Sequence, residues 1–180
     1  MNRNKITKIA VSAALGIIGI SLINSCSVKI PKGAVAEKSF EVEKYMGKWY
    51  EIARLDFRFE KNLNNTTAQY SINSDGTVKV DNRGYNYVKN EWKQSIGEAR
   101  FVGDKTEARL KVAFFKPFWA GYNVIDLIDY EYALVAGNSL KYLWILSRKK
   151  TIPLQVKQRF LNKAENLGYD TSNLIWVEHN

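Results

Sequence analysis

The chain has one thiol and one imidazole, Cys26 and His179. They stand near opposite ends of 180 residues, and His179 is the penultimate residue. A Ser-His-Asp or Cys-His machine needs a histidine held by a scaffold, and a chain-terminal one is badly placed for that work. A zinc site of Cys and His needs three or four ligands, against the two residues present. Cys26 has no partner for a disulfide within the chain. What remains is carboxylate chemistry, binding, structure or transport, and no cofactor or metal is implied. Glu51 stands out among the carboxylates. It interrupts a segment whose alternate positions are otherwise apolar or small: Trp49, Ala53, Leu55 and Phe57. A buried carboxylate needs a partner. That partner is either a basic side chain or tyrosine hydroxyl in a structural bond, or the head of a ligand that Glu51 orients.

The elements that must position such a residue are strands. Period-2 or β-branched and aromatic runs occupy 49–57, 66–72, 77–87, 92–102, 108–115, 122–127, 132–135 and 142–146. Turn residues separate them, Ser74-Asp75-Gly76 most clearly. No helical pattern lies between the runs, so neighbours are antiparallel. Eight such segments with one apolar face suit a closed barrel or a two-sheet sandwich. The period then changes. Val156, Phe160, Ala164 and Leu167 fall on one face of a helix that packs on the strands, with Pro153 in its first turn, Thr151 as its cap and Gly168 at its end. A short ninth strand is expected at 174–177.

The start of the chain reads as an address. Arg3, Lys5 and Lys8 precede an apolar stretch from Ile9 to Ile23, right for a signal-peptide core and short of the ~20 residues that cross a bilayer. Ile23-Asn24-Ser25-Cys26 resembles the bacterial lipobox, with Asn24 an unusual member. The resemblance implies cleavage before Cys26 and acylation of that residue, which gives lasting attachment without a spanning helix. The expected organisation is a lipoprotein signal at 1–25, a lipidated tether at 26–38 and one folded domain at 39–180. Net charge is +9, and +6 without the leader, 24 basic residues against 18 acidic. That balance suits anionic headgroups. No basic run is longer than Arg148-Lys149-Lys150, which argues against nucleic acid.

Gly47-Lys48-Trp49-Tyr50-Glu51-Ile52-Ala53-Arg54 resembles the G-x-W signature of the lipocalin family, and Tyr142-Leu143-Trp144-Ile145-Leu146-Ser147-Arg148 resembles its third conserved region. The likeness runs from Phe40 to the end and is greatest to bacterial outer-membrane lipoproteins similar to apolipoprotein D. The second conserved region departs from the pattern, with Ile128-Asp129-Tyr130 where Thr-Asp-Tyr is usual. The resemblance decides for the barrel: all-β, eight antiparallel up-and-down strands, one flanking C-terminal helix and the short ninth strand. It implies that Gly47, Trp49 and Arg148 are structural, with Trp49 closing one end and Arg148 lying across it.

With Trp49 inward, alternation assigns Glu51, Ala53, Leu55 and Phe57 to the interior. With Arg148 inward at the base, Trp144 and Tyr142 follow. Tyr70, Tyr85, Phe101, Val112, Phe114 and Tyr122 are the candidates from the other strands. Such a lining suits an acyl chain. The expected function is a lipid-anchored lipocalin that binds and stores or transports fatty acids or lysophospholipids at the outer membrane, in membrane maintenance, and is not an enzyme. The competing readings are a lipid-modifying enzyme using Glu51 and a structural lipoprotein without ligand. The aromatic run from Phe114 to Trp119 is expected in a loop at the pocket rim, with self-association as a homodimer.

Overall fold

The computed structural model describes residues 28–180; the leader and the expected acylation site at Cys26 lie outside the described residues. The strands are β1 (Gly47–Leu55), β2 (Leu63–Ile72), β3 (Val78–Asn86), β4 (Glu91–Phe101), β5 (Arg109–Phe115), β6 (Phe118–Ile128), β7 (Tyr132–Ala136), β8 (Leu143–Ser147) and β9 (Leu174–Trp176). A one-turn helix α1 (Val42–Tyr45) precedes them, and helix α2 (Leu154–Asn166) lies between β8 and β9. Each strand from β2 to β8 pairs antiparallel with the next. β1 then joins β8 to β2 and closes the ring. Closure leaves the eight strands without an open edge.

One irregularity governs what faces inward. Glu51 pairs with Leu146 of β8, but the next pair is Ala53 with Ile145, so Ile52 is an inserted residue. A bulge of this kind shifts side-chain parity by one and bends the strand. It falls where β1 changes partner. Gly47 to Tyr50 pair with β2, whereas Ala53 to Leu55 pair with β9. The Ile52 carbonyl accepts from the Val177 amide at 2.9 Å, tying the chain terminus to the bulge. A similar shift between Val124 and Asp126 in β6 leaves Val124 in the interior cluster and puts Asp126 on the outer side with Ile125, where Arg159 of α2 meets it.

Two apolar layers result. The interior one runs from Trp49 through Ala68, Val78, Val80, Val124 and Leu146. The outer one lies between the barrel wall and α2, where Phe160 and Ala164 pack on Ile52, Leu134, Leu143 and Ile145. The helix has no side-chain cap: Pro153 takes the N-cap position, and the Thr151 carbonyl instead accepts from Ser147 Oγ. Gly168, at φ +90°, ends the helix in the left-handed region as expected.

The described part of the expected tether is laid on the barrel. Glu37 donates its amide to Val124 O and accepts from the Ala108 amide, both at 2.9 Å. Val28 is buried, and its carbonyl accepts from Arg109 Nη2 at 3.1 Å. The aromatic run also differs from its expected form. Phe114 and Phe115 end β5 and Phe118 and Trp119 begin β6, so only Lys116 and Pro117 form the turn. Adjacent aromatic pairs extend the two strands, Phe115 pairing with Phe118, through a stretch that composition alone reads as loop.

Candidate ligand-binding cavity

One end of the barrel is plugged. Trp49 is fully buried, and its indole N–H donates to Tyr45 O at 2.8 Å. The Arg148 guanidinium lies over that ring at 3.9 Å from its centroid. Its nitrogens donate to the carbonyls of Tyr130, Lys48 and Lys44 at 3.1, 2.9 and 2.9 Å. Stacking and donation together staple α1, β1 and the β6–β7 turn at the base. Gly47 belongs to the same plug. Its φ of +95° lies where a side chain is strained, and a Cβ there would stand 3.3 Å from Arg148 Nη1.

Above the plug is a cavity of about 620 Å³. Its floor carries three tyrosine hydroxyls in a chain, Tyr45 to Tyr122 at 2.7 Å and Tyr122 to Tyr70 at 3.0 Å. Burial raises all three above the usual phenol range, so they stay neutral donors and acceptors. Val78, Val80, Ala99, Leu110 and Val112 make the wall from β3 to β5. Phe57, Tyr142 and Trp144 group near the mouth, Phe57 meeting the other two edge-on at 5.7 and 5.8 Å.

The sequence-derived lining divides accordingly. Glu51, Phe57, Tyr70, Val112, Phe114, Tyr122, Tyr142 and Trp144 face the cavity. Ala53 and Leu55 do not. The bulge at Ile52 turns them outward, and they pack in the outer layer beneath α2. Tyr85 is also outside. Val78 and Val80 face inward, so unbroken alternation in β3 leaves Tyr85 on the outer surface against Trp92. Phe101 keeps inward parity with Ala99 but sits at the base, 6.3 Å from Phe40, away from the cavity surface.

What the bulge removes in Ala53 it replaces with Arg54, which pure alternation puts outside. Arg54 is 1% exposed, and its Nη1 donates to Glu51 Oε1 at 2.6 Å. Its Nη2 donates to the carbonyls of Glu60 and Leu63 at 2.8 and 3.0 Å. Glu51 therefore has the basic partner that a buried carboxylate requires. A second acid arrives from the β1–β2 connection: Glu60 Oε2 accepts from Trp144 Nε1 at 3.1 Å and lies 3.9 Å from Arg54 Nε. Burial, and then the neighbouring Glu51 charge, push the Glu60 carboxyl up to about 8. Burial also raises Glu51, opposed by Arg54. Glu60, Thr66 and Asn82 line the cavity, with Arg54 behind Glu51, and none of the four is among the lining residues expected from the sequence. Arg54 had a signal in the unmet need of Glu51 for a cation, and Thr66 and Asn82 share the inward parity of Tyr70 and Val80.

His179 also has a place. Its Nε2 lies 2.8 Å from Glu51 O, and its ring meets Tyr50 edge-on at 5.4 Å. It fastens the tail to the outside of β1 and does not reach the cavity.

A model of the lipocalin-like domain matches residues 40–179. The outer membrane lipoprotein Blc of Escherichia coli K12 is 48% identical over 159 residues, 87% of this chain and 90% of that protein. The protein of the same name from Vibrio cholerae is 42% identical, over 87% and 92%. Apolipoprotein D of Rattus norvegicus is 36% identical over 69% of each chain. Among solved structures, insecticyanin of Manduca sexta superposes with a TM-score of 0.67 at 19% identity, over 85% of this chain and 88% of that one. That likeness is one of fold. The chain belongs to the lipocalin family, within its group of bacterial outer-membrane lipoproteins.

Proposed function

We propose that the barrel binds single-chain lipids, fatty acids or lysophospholipids, and stores or carries them at the outer membrane in membrane maintenance. Lipocalins are binding proteins for small hydrophobic ligands, and the coarser function, such binding at the cell envelope, follows from family membership. The observation that carries the finer reading is the cavity itself. At about 620 Å³ it lies within the ~300–1,000 Å³ of small-molecule sites, and it is aliphatic and aromatic on most of its surface. Its base is sealed by Trp49, so a long chain enters from one end. Affinity then comes from apolar area removed from water and needs no covalent step. Glu51, the acid that a lipid-modifying enzyme would use, is engaged by Arg54.

The route of the N-terminal segment supports loading from the membrane. A Cβ on Gly121, near the mouth, would meet Val28 Cγ1 at 2.9 Å and Asn138 Oδ1 beside it. Val28, the first described residue, is thus packed at that rim. Phe115 and Phe118, 68% and 77% exposed at the β5–β6 turn, offer apolar surface to the bilayer, or to a second copy in a homodimer.

The test is titration of a fluorescent fatty acid into the full chain held in an amphipathic polymer. Saturable binding that lysophospholipid displaces is expected. A linear, non-competable signal overturns the proposal.

A further inference from the structure

Along one side of the cavity lie four side chains that offer oxygen acceptors. Glu51 of β1 and Glu60 of the β1–β2 connection present carboxylates to the space, while Arg54 is covered behind them. Thr66 of β2 follows in line. Tyr50 pairs with Thr67, so the next position sets Thr66 beside Glu51 on the inner face. Asn82 of β3 pairs with Ala68, one step further round the same wall. Thr66 is 4% exposed and its hydroxyl oxygen has no hydrogen-bond partner; the Asn82 side-chain oxygen has none either. Buried polar atoms are rarely left so unless something else fills the site.

The charges are unequal too. Two carboxylates share one guanidinium: Nη1 is engaged by Glu51, Nη2 by two carbonyls, and Nε makes no hydrogen bond and stands 3.9 Å from Glu60 Oε2. The remaining deficit is one positive charge. Among the described residues no other cationic side chain bonds to Glu51 or Glu60, and Arg58 at the mouth is exposed and lies over the Phe59 ring at 4.4 Å. A proton on Glu60 meets the deficit in the empty cavity. It leaves the Thr66 and Asn82 oxygens without donors.

We propose that the wall formed by Glu51, Glu60, Thr66 and Asn82 is a headgroup site for a protonated primary amine, so that the barrel selects single-chain amphiphiles with an ammonium head. An ammonium offers three N–H donors and one positive charge, which is what two carboxylates, a hydroxyl and an amide oxygen lack. It replaces the Glu60 proton, and the tail lies against Val78 and Val80, further along β3 from Asn82, and against Leu110 and Val112 of β5. A free fatty acid is held by its chain while its carboxylate meets like charge on this wall, and a fatty alcohol meets neither penalty nor gain. The proposal rests on the reading of the cavity as a lipid site and names the head that the site takes.

Dodecylamine, dodecanol and dodecanoate share one chain and differ in the head. Each is titrated at pH 7 against a displaceable fluorescent probe, with the full chain in an amphipathic polymer. The amine is expected to bind about tenfold or more tighter than the alcohol, the scale of a charged hydrogen bond over a neutral one, with dodecanoate the weakest. In E60Q the alcohol keeps its affinity, which reports an intact cavity, and the amine loses its advantage. In T66V the advantage shrinks without vanishing. An amine that binds no tighter than the alcohol overturns the proposal, as does a preference that persists in E60Q. If the alcohol and the acid bind and only the preference fails, the lipid reading stands alone. If none of the three displaces the probe, both readings fall.

Discussion

Arg54→Met removes the guanidinium bonded to Glu51 behind the cavity wall and keeps an unbranched side chain in its place. Glu51 then has no cation within bonding distance, and the Glu60 and Leu63 carbonyls lose their donor. Breaking one partner out of a buried pair costs about 3–5 kcal/mol. The carboxylate part has a ceiling. Glu51 can take a proton instead of staying charged, and from an unfolded value of 4.5 that costs about 3.4 kcal/mol at pH 7, at 1.36 kcal/mol per unit. Two unpaired carbonyls add about 1–3 kcal/mol each if water does not reach them. The middle of the range for a broken buried pair, about 4 kcal/mol at pH 7, is the expected loss, a fall in Tm of roughly 8–16 °C for a domain of this size. The sign with pH is fixed. In the variant the folded-state pKa of Glu51 lies further above its unfolded value, so the deficit is smallest near pH 4.5 and grows as pH rises. At pH 5 the carboxylate part shrinks to about 0.7 kcal/mol. Guanidinium unfolding followed by tryptophan fluorescence at pH 5 and pH 7 measures both quantities. The double variant E51Q/R54M, with neither charge, should recover most of the loss at pH 7. A single variant within about 1 kcal/mol of the parent at pH 7, or a deficit equal at both pH values, would refute the claim that this ion pair is buried and uncompensated without Arg54.

Glu60 sets a second pH dependence, in the parent protein. Its folded-state pKa of about 8 lies above the unfolded 4.5, so its contribution is complete below about pH 4.5 and is lost as pH rises through 8. Unfolding free energy should fall between pH 5 and 8 with a slope of up to about 1.4 kcal/mol per unit, and E60Q should flatten it; a flat parent profile contradicts the assignment. Leu55→Ala separates the two layers of the fold. Leu55 packs under α2, so its loss should lower stability by about 2–5 kcal/mol and leave probe affinity unchanged. Weakened binding at unaltered stability would place Leu55 back inside the barrel.

The barrel was legible because its strands are regular where the pattern is strongest. Alternation along β8 placed Leu146, Trp144 and Tyr142 on the cavity side, and no bulge disturbs β8 against β7. The base was legible through the residues Trp49 and Arg148, whose stacking needs only that both point inward. Beyond Ile52 the same rule failed, for a physical reason that also explains the site. Residues three apart on a regular strand face opposite sides, so Glu51 and Arg54 cannot meet without an inserted residue between them. The need of Glu51 for a partner was readable from its type; the identity of that partner was not, because it depends on a register shift. Nor does local pattern mark Glu60, which is carried in by a connection and fixed by Trp144 of a strand 84 residues away. The bulge is in turn held from outside the barrel. Ile52 O takes the Val177 amide, and Glu51 O lies against His179, on the segment that continues β9. The C-terminal tail thus holds the register that turns Arg54 inward. The polarity of the cavity depends on residues that never touch it.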